Sequence, residues 1–218
     1  MHKKRKMENP VVIFGAGNIG RLALDIFNSN DVLVYGFLDE NTKLHGTEIS
    51  ETVVLGDPND DGYLKIIGNK TEAFVAFETK TLKEKTVKML HDRRKTMPVN
   101  AIHARAIVSE DAEIGHGILI GPAAIVNQGV KLGNHSVVHS GAILDVKSSV
   151  GEYVEIGPGA IINSDVILEN GAFIGAGATI VSGIKIGKNA RVGAGSLVIE
   201  DVKDKTTVFG NPAVEVGK

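Results

Sequence analysis

The residues best suited to acid–base chemistry in this sequence are its histidines, because the chain has seven His and no Cys. Without cysteine there is no disulfide, no thiolate metal site and no cysteine nucleophile. His139 is the candidate base, since it follows the aliphatic Val138 at an expected turn, near the face that carries Glu155. A neutral imidazole there could take a proton from an attacking amine or hydroxyl. The alternative is a solvated turn residue, because no acid at a fixed offset from His139 indicates a dyad.

The remaining histidines offer neither a second base nor a metal site. Their separations along the chain do not place them together on one face, as a metal-ligand set requires. We therefore expect no metal cofactor, and we expect surface positions for these residues: His45, His91, His103, His116 and His135.

A second segment could bring backbone amides to a phosphate. Residues 10–14 form a short apolar run, residues 15–20 read Gly-Ala-Gly-Asn-Ile-Gly, and residues 21–27 have helical spacing. This order predicts a strand, a glycine turn and a helix. Such a turn lets a phosphate approach the amides at the positive end of the helix.

The candidate substrate-binding residues of this segment are Gly17, Asn18 and Ile19 in the turn, with Asp39 and Glu40 about twenty residues on. The two acids end a second apolar strand, where a carboxylate commonly meets a ribose hydroxyl. A glycine turn alone is a weak signal. Nucleotide binding and a fold remnant that only packs against the rest of the protein both stay open.

The segments that follow complete a small α/β domain over residues 1–98. Residues 73–77 read as a buried parallel strand and residues 80–94 as a helix. Fewer than a hundred residues are too few for a full dinucleotide fold, so we expect a half-size, Rossmann-like unit.

Composition excludes some classes of partner. The net charge is −2, which gives no general attraction to nucleic acid or to an anionic membrane. The basic run of residues 2–6 is expected to be a solvated terminus. No apolar stretch approaches the length of about 18 residues needed to span a bilayer. A cytoplasmic location is the expectation.

The second half of the chain is governed by a period of six residues. Every sixth residue from Ile102 is Val, Ile or Leu, and the residue two before it is usually small. This period fits neither an α-helix nor a simple strand, and it is typical of a β-helix with three six-residue faces per coil of about eighteen residues. The aliphatic positions are Ile102, Val108, Ile114, Ile120, Val126, Leu132, Val138, Leu144, Val150, Ile156, Ile162, Leu168, Ile174, Ile180, Ile186, Val192 and Val198.

The predicted β-helix domain, residues 99–218, has roughly five coils and a tail. Backbone hydrogen bonds run from coil to coil, so both ends of the prism expose strand edges that need a cover. The preceding domain and the tail of residues 201–218 are available for this. The period does not give the hand of the coil.

A half-size α/β domain with a glycine turn, then hexapeptide coils ending in the Gly-Asn-Pro-Ala of residues 210–213, resembles one family. It is similar to the bacterial sugar acetyltransferases typified by sialic acid O-acetyltransferase and the UDP-amino-sugar N-acetyltransferases. The resemblance implies a left-handed parallel β-helix, acetyl-CoA as the donor, and a nucleotide-linked or free sugar as the acceptor. It also implies a homotrimer with active sites in the clefts between prisms.

The family carries its catalytic His and an orienting acid in a segment that matches residues 141–147 here. In this chain Val146 stands at the His position and Lys147 at the acid position. Glu155 stands where the family usually has a His beside coenzyme A, so the resemblance makes it a candidate cofactor-binding residue. Valine cannot accept a proton, so the chemistry has either moved, with His139 as the relocated base, or been lost.

The resemblance also implies a route for the cofactor. It places the backbone amides that meet the pantetheine arm at Ala176 and Ala194, on successive coils. Small residues there leave room for a ligand, although small residues also serve turns.

The front domain departs from the family as well. Residues 78–80 read Glu-Thr-Lys where the family has Gly-Asn-Asn, and Glu78 would repel a diphosphate. Three hypotheses follow: an acetyltransferase with altered catalytic residues, a non-catalytic binding or assembly subunit, and an acyltransferase that uses another thioester.

Overall fold

The computed structural model describes residues 9–216, so the basic run of residues 2–6 lies outside the described part. The chain divides into two units, Met1–Ala104 and Arg105–Lys218. The sequence boundary at residues 98 and 99 falls a few residues earlier. The difference arises at the strand Ala101–Ile102, which packs on the first helix of the front unit, where Asn30 Nδ2 donates to Ile102 O at 2.8 Å.

The front unit is a five-stranded sheet with helices. The strands are β1 Val11–Phe14, β2 Val34–Leu38, β3 Glu48–Ile49, β4 Thr52–Gly56 and β5 Glu72–Val75. They lie in the order β3-β4-β2-β1-β5, and only β3 and β4 pair antiparallel. The helices are α1 Asn18–Ser29, α2 Asp61–Leu64 and α3 Lys80–Arg94, with a short 3₁₀ turn at Thr42–Leu44.

The core of the front unit sits between this sheet and its helices. Phe27 of α1 meets Phe74 of β5 edge to face, with ring centroids 5.8 Å apart. The β1 turn is close-packed, because a Cβ at Gly20 would overlap Gly15 O. A larger residue at position 20 would therefore push α1 away from β1. The predicted strand, glycine turn and helix are confirmed.

The second unit is a prism of three parallel sheets. Strands eighteen residues apart pair in register, as Val138 does with Ile156. The first sheet holds Ile107–Val108, Ile125–Val126, Ile143–Leu144, Ile161–Ile162, Thr179–Ile180 and Leu197–Val198; the second holds Glu113–Ile114, Lys131–Leu132, Ser149–Val150, Ile167–Leu168 and Lys185–Ile186; the third includes Leu119–Ile120, Val137–Val138, Glu155–Ile156, Phe173–Ile174 and Arg191–Val192.

The predicted inward register is confirmed, because the aliphatic residues from Ile120 to Val198 are buried in the prism. Ile102, Val108 and Ile114, at the start of the register, are only half-buried. At the other end the tail forms a hairpin of Thr207–Gly210 and Ala213–Glu215, whose first strand pairs with Arg191–Val192. This hairpin covers one strand edge of the prism, as the sequence predicted for the tail.

Two histidines expected at the surface are buried instead. His135 is 4 % exposed because its ring stacks on Tyr153 of the next coil, with centroids 5.0 Å apart. His103 is also 4 % exposed, and its Nε2 lies 3.9 Å from Asp25 Oδ2. Surface positions for these two residues were wrong, because a side chain of the next coil covers His135 and the ring of His103 lies near Asp25 of α1.

Candidate active site

His139 and Glu155 lie together on one corner of the prism. The strands Val137–Val138 and Glu155–Ile156 pair so that Glu155 lies opposite Val137. His139 follows directly, and its backbone N–H donates to Ile156 O at 2.9 Å. From these positions His139 Nε2 and Glu155 Oε1 come within 3.0 Å of each other. The acid partner that the sequence did not reveal is therefore supplied by the adjacent coil.

This pair has the geometry of a base and its orienting acid. The His139 side chain is 18 % exposed and that of Glu155 34 %, so both are partly shielded but reachable. If Nε2–H donates to the carboxylate, Nδ1 remains as the proton acceptor. A carboxylate in this position holds the ring in one tautomer and stabilises the imidazolium that forms on proton transfer.

Glycines surround His139 along the same corner. The equivalent positions of the neighbouring coils are Gly121, Gly157, Gly175 and Gly193. A Cβ at Gly157 would lie only 2.6 Å from the backbone nitrogen of Ala176. The coils therefore stack closely at these glycines, and at Gly193 the Phe209 side chain lies over the corner.

Ala176 and Ala194 follow two of these glycines, and both are exposed. Their backbone N–H groups donate to no acceptor within residues 9–216. At another corner of the prism the equivalent amides are capped, since those of His116 and Glu152 donate to Asn134 Oδ1 and Asn170 Oδ1. Two open donors one coil apart are suited to polar groups of an extended ligand.

The segment that matches the family's catalytic His lies at a different corner and holds no base. Val146 is 37 % exposed, and Lys147 is exposed with a positive φ of 59°. Asp145 accepts from Ser164 Oγ at 2.6 Å and from Asn127 Nδ2 at 2.9 Å. The Ser164 hydroxyl, the Val146 amide and the Asn127 side chain lower the pKa of Asp145. This carboxylate is thus fixed as an ionised structural acceptor.

The glycine turn of the front unit is occupied by the chain's own acids. Asp39 Oδ2 accepts the Ala16 N–H at 2.8 Å, and Asp39 Oδ1 accepts the Asn41 N–H at 2.8 Å. Glu78 Oε1 accepts the Asn18 N–H, at the start of α1, at 2.9 Å. From the sequence, Glu78 was expected only to repel a diphosphate. Its hydrogen bond to Asn18 could not be predicted, because it depends on the path of the chain between β5 and α3.

The other predicted residues of this turn differ in accessibility. Gly17 and Glu40 are exposed, whereas the Ile19 side chain is 3 % exposed and belongs to the core. Within the described chain, no group of three or more His, Cys, Asp or Glu could hold a metal ion. No helix formed by residues 9–216 is long and apolar enough to cross a membrane.

Family models match only the second unit. The bacterial transferase hexapeptide (six repeats) model matches residues 147–182 and 165–200, and the hexapeptide repeat of succinyl-transferase matches residues 112–145. No curated protein matches the chain by sequence.

Solved structures match nearly the whole chain. A mutant of perosamine N-acetyltransferase from Caulobacter crescentus, in complex with CoA and GDP-perosamine, is 26% identical over 97% of this chain and 99% of that one, with a TM-score of 0.88. The acetyltransferase domain of PglB from Neisseria gonorrhoeae, in complex with acetyl coenzyme A, is 22% identical over 95% and 99%, with a TM-score of 0.87. WeeI from Acinetobacter baumannii AYE is 24% identical over 95% and 99%, with a TM-score of 0.84.

The last two likenesses concern the fold alone. Together with the hexapeptide models, the three structures confirm an α/β unit followed by a left-handed parallel β-helix. The perosamine N-acetyltransferase structure and the hexapeptide models also confirm the predicted resemblance to the hexapeptide-repeat sugar acetyltransferases.

Proposed function

We propose that this protein transfers an acetyl group from acetyl-CoA to an amino or hydroxyl group of a sugar, with His139 as the general base. The observation that carries the proposal is the 3.0 Å contact between His139 Nε2 and Glu155 Oε1. The likeness to a perosamine N-acetyltransferase crystallised with CoA and GDP-perosamine supports the reaction class and a nucleotide-linked or free sugar as acceptor.

In the proposed reaction, His139 Nδ1 takes the proton of the acceptor amine or hydroxyl as that group attacks the thioester carbonyl carbon. Glu155 holds the ring and stabilises the imidazolium. The tetrahedral adduct then collapses, the carbon–sulfur bond breaks, and the imidazolium returns its proton to the CoA thiolate. The products are the acetylated sugar and free CoA.

We assign the open amides of Ala176 and Ala194 to the pantetheine arm of CoA. Proline offers a clean test, because Pro122 and Pro158 occupy the same place in earlier coils, each after a glycine. Ala176→Pro therefore removes one donor while keeping a residue that this corner accepts. Calorimetric titration with acetyl-CoA should show binding weakened about threefold to tenfold, as expected for one lost hydrogen bond. Unchanged affinity would contradict this assignment.

The proposed assembly is a homotrimer. The outward positions of the first sheet form an apolar column of Ile107, Ile125, Ile143, Ile161 and Leu197, interrupted only by Thr179. The second sheet is more polar outside, where Glu113 and Lys131 form an ion pair. A flat apolar face of this kind is stabilised by burial against a second copy.

A non-catalytic binding or assembly role is the second candidate, and the absence of a base at Val146 favours it. A thiol-release assay separates the two candidates. The wild-type protein should release CoA from acetyl-CoA with at least one acceptor in a panel of free amino sugars and their UDP- and GDP-linked forms. Succinyl-CoA and propionyl-CoA, tested in parallel, examine the alternative of another thioester donor. Acetyl-CoA binding without release on any acceptor would favour the non-catalytic role.

A further inference from the structure

We propose that Glu78 is a specificity-determining residue that closes the glycine turn of the front unit to phosphate groups. The proposal rests on the proposed function, because it concerns the acceptor of that reaction. In this proposal, Glu78 makes the protein select acceptor sugars that carry no diphosphate at this turn.

Glu78 occupies the place that an anion would take. Its Oε1 accepts the Asn18 N–H at 2.9 Å, at the first residue of α1. The same oxygen would lie 3.0 Å from a Cβ added at Gly17, so it also fills the space that the glycine leaves open. A phosphate bound through the α1 terminus would have to displace this carboxylate.

The N-terminus of α1 has no acidic residue or capping side chain within the helix itself. Gly17 supplies no side-chain cap, and the first turn of α1 contains no acid. The free backbone amides at the N-terminus of a helix favour a nearby negative charge. Here that charge is the carboxylate of Glu78, which lies between β5 and α3. The carboxylate thus acts as an intramolecular substitute for an anionic ligand.

Asp39 strengthens the effect from the other side of the turn. Both of its carboxylate oxygens already accept hydrogen bonds from backbone N–H groups, one from Ala16 and one from Asn41. A diphosphate at the turn would therefore lie near two carboxylates. A sugar without phosphate avoids this repulsion.

The test is calorimetric titration of the full chain with UDP and with GDP, without acetyl-CoA. Glu78→Ala vacates the position, and Glu78→Gln keeps an oxygen for the Asn18 N–H while removing the charge. The matched control is Glu84→Gln, on the exposed side of α3, where Glu84 lies 3.9 Å from Lys80 Nζ. Circular dichroism melts verify that each variant is folded.

We expect UDP or GDP to bind Glu78→Ala at least about tenfold more tightly than the wild type, which corresponds to about 1.4 kcal/mol. Glu84→Gln should match the wild type. Equal nucleotide affinity in the wild type and in Glu78→Ala, whether strong or undetectable, would overturn the proposal. Because this readout requires no turnover, its failure is distinguishable from a failure of the acetyl transfer.

Discussion

Glu155 lies opposite Val137 in the adjacent strand, and from there its carboxylate reaches the His139 ring, with Oε1 3.0 Å from Nε2. The contact depends on the stacking of coils, because the two residues are sixteen positions apart in the chain. A change at one residue is therefore expected to affect the other without disturbing the aliphatic core.

Removing the charge of Glu155 should impair chemistry more than binding. Glu155→Gln keeps the size of the side chain but no longer stabilises the imidazolium, so kcat should fall about tenfold or more while the KM for acetyl-CoA changes little. Steady-state kinetics measure both quantities. The matched control is Glu113→Gln, at the outward position of another sheet, where Glu113 pairs with Lys131 at 3.3 Å. An equal loss in both variants would argue against an orienting role for Glu155.

The aliphatic stack should not tolerate a charge. Ile156 is fully buried, so Ile156→Asp would place a carboxylate without a partner in the middle of the prism. We expect a loss of more than about 4 kcal/mol in the free energy of unfolding, or no folded protein at all. His116→Ala, at an exposed corner, should change it by less than about 0.5 kcal/mol. Urea titrations followed by circular dichroism give both values, and similar small effects would mean that the inward register is misplaced.

Asp145 should make stability depend on pH in the acidic range. Its hydrogen bonds to Ser164, the Val146 amide and Asn127 lower its pKa in the folded state from the ordinary value of 3.8. A lowered folded-state pKa means that this stabilisation is present above about pH 4 and is lost as the pH falls through the folded pKa. Asp145→Asn should therefore lower the urea midpoint at pH 7, and the difference from the wild type should shrink at pH 3.

Asp165→Asn provides the control for Asp145. Asp165 lies on the neighbouring coil at the same corner and is exposed. Loss of its charge should leave the midpoint nearly unchanged at both pH values. A difference between Asp145→Asn and the wild type that is as large at pH 3 as at pH 7 would show that the ionised carboxylate is not what stabilises this corner.

The oligomeric state follows from the apolar column on the first sheet. Light scattering should give a mass near three times 23.1 kDa for the wild type. Ile143→Glu, in the middle of the column and half-buried, should dissociate the trimer because it would bury unpaired charge between copies. Lys131→Glu, on the second sheet, should leave the mass unchanged. A wild-type protein that is monomeric at micromolar concentration would contradict this assembly.

The sequence was sufficient to predict the fold because the fold repeats. Every sixth residue from Ile120 to Val198 is aliphatic and points inward, so an error in the register would be evident from the sequence. The glycine turn and α1 were predictable for a similar reason, since glycine chemistry and helical spacing are local properties of the chain.

The contacts of the site were less accessible to sequence reasoning, because they join residues far apart in the chain. A coil length of eighteen residues places position 155 beside position 137, and this signal could have indicated the Glu155 partner of His139. Glu78 reaches Asn18 across sixty residues, and no local pattern indicates that contact. His135 is buried only because Tyr153 covers it from the next coil.

The central claim is that His139 is the base of an acetyl transfer, and one kinetic comparison tests it most directly. CoA release is measured for the wild type and for His139→Ala, with acetyl-CoA and the best acceptor sugar, and acetyl-CoA affinity is measured separately by calorimetry. We expect kcat to fall about a hundredfold or more with acetyl-CoA affinity unchanged, while His116→Ala retains wild-type rates. Wild-type turnover that persists undiminished in His139→Ala would contradict the claim.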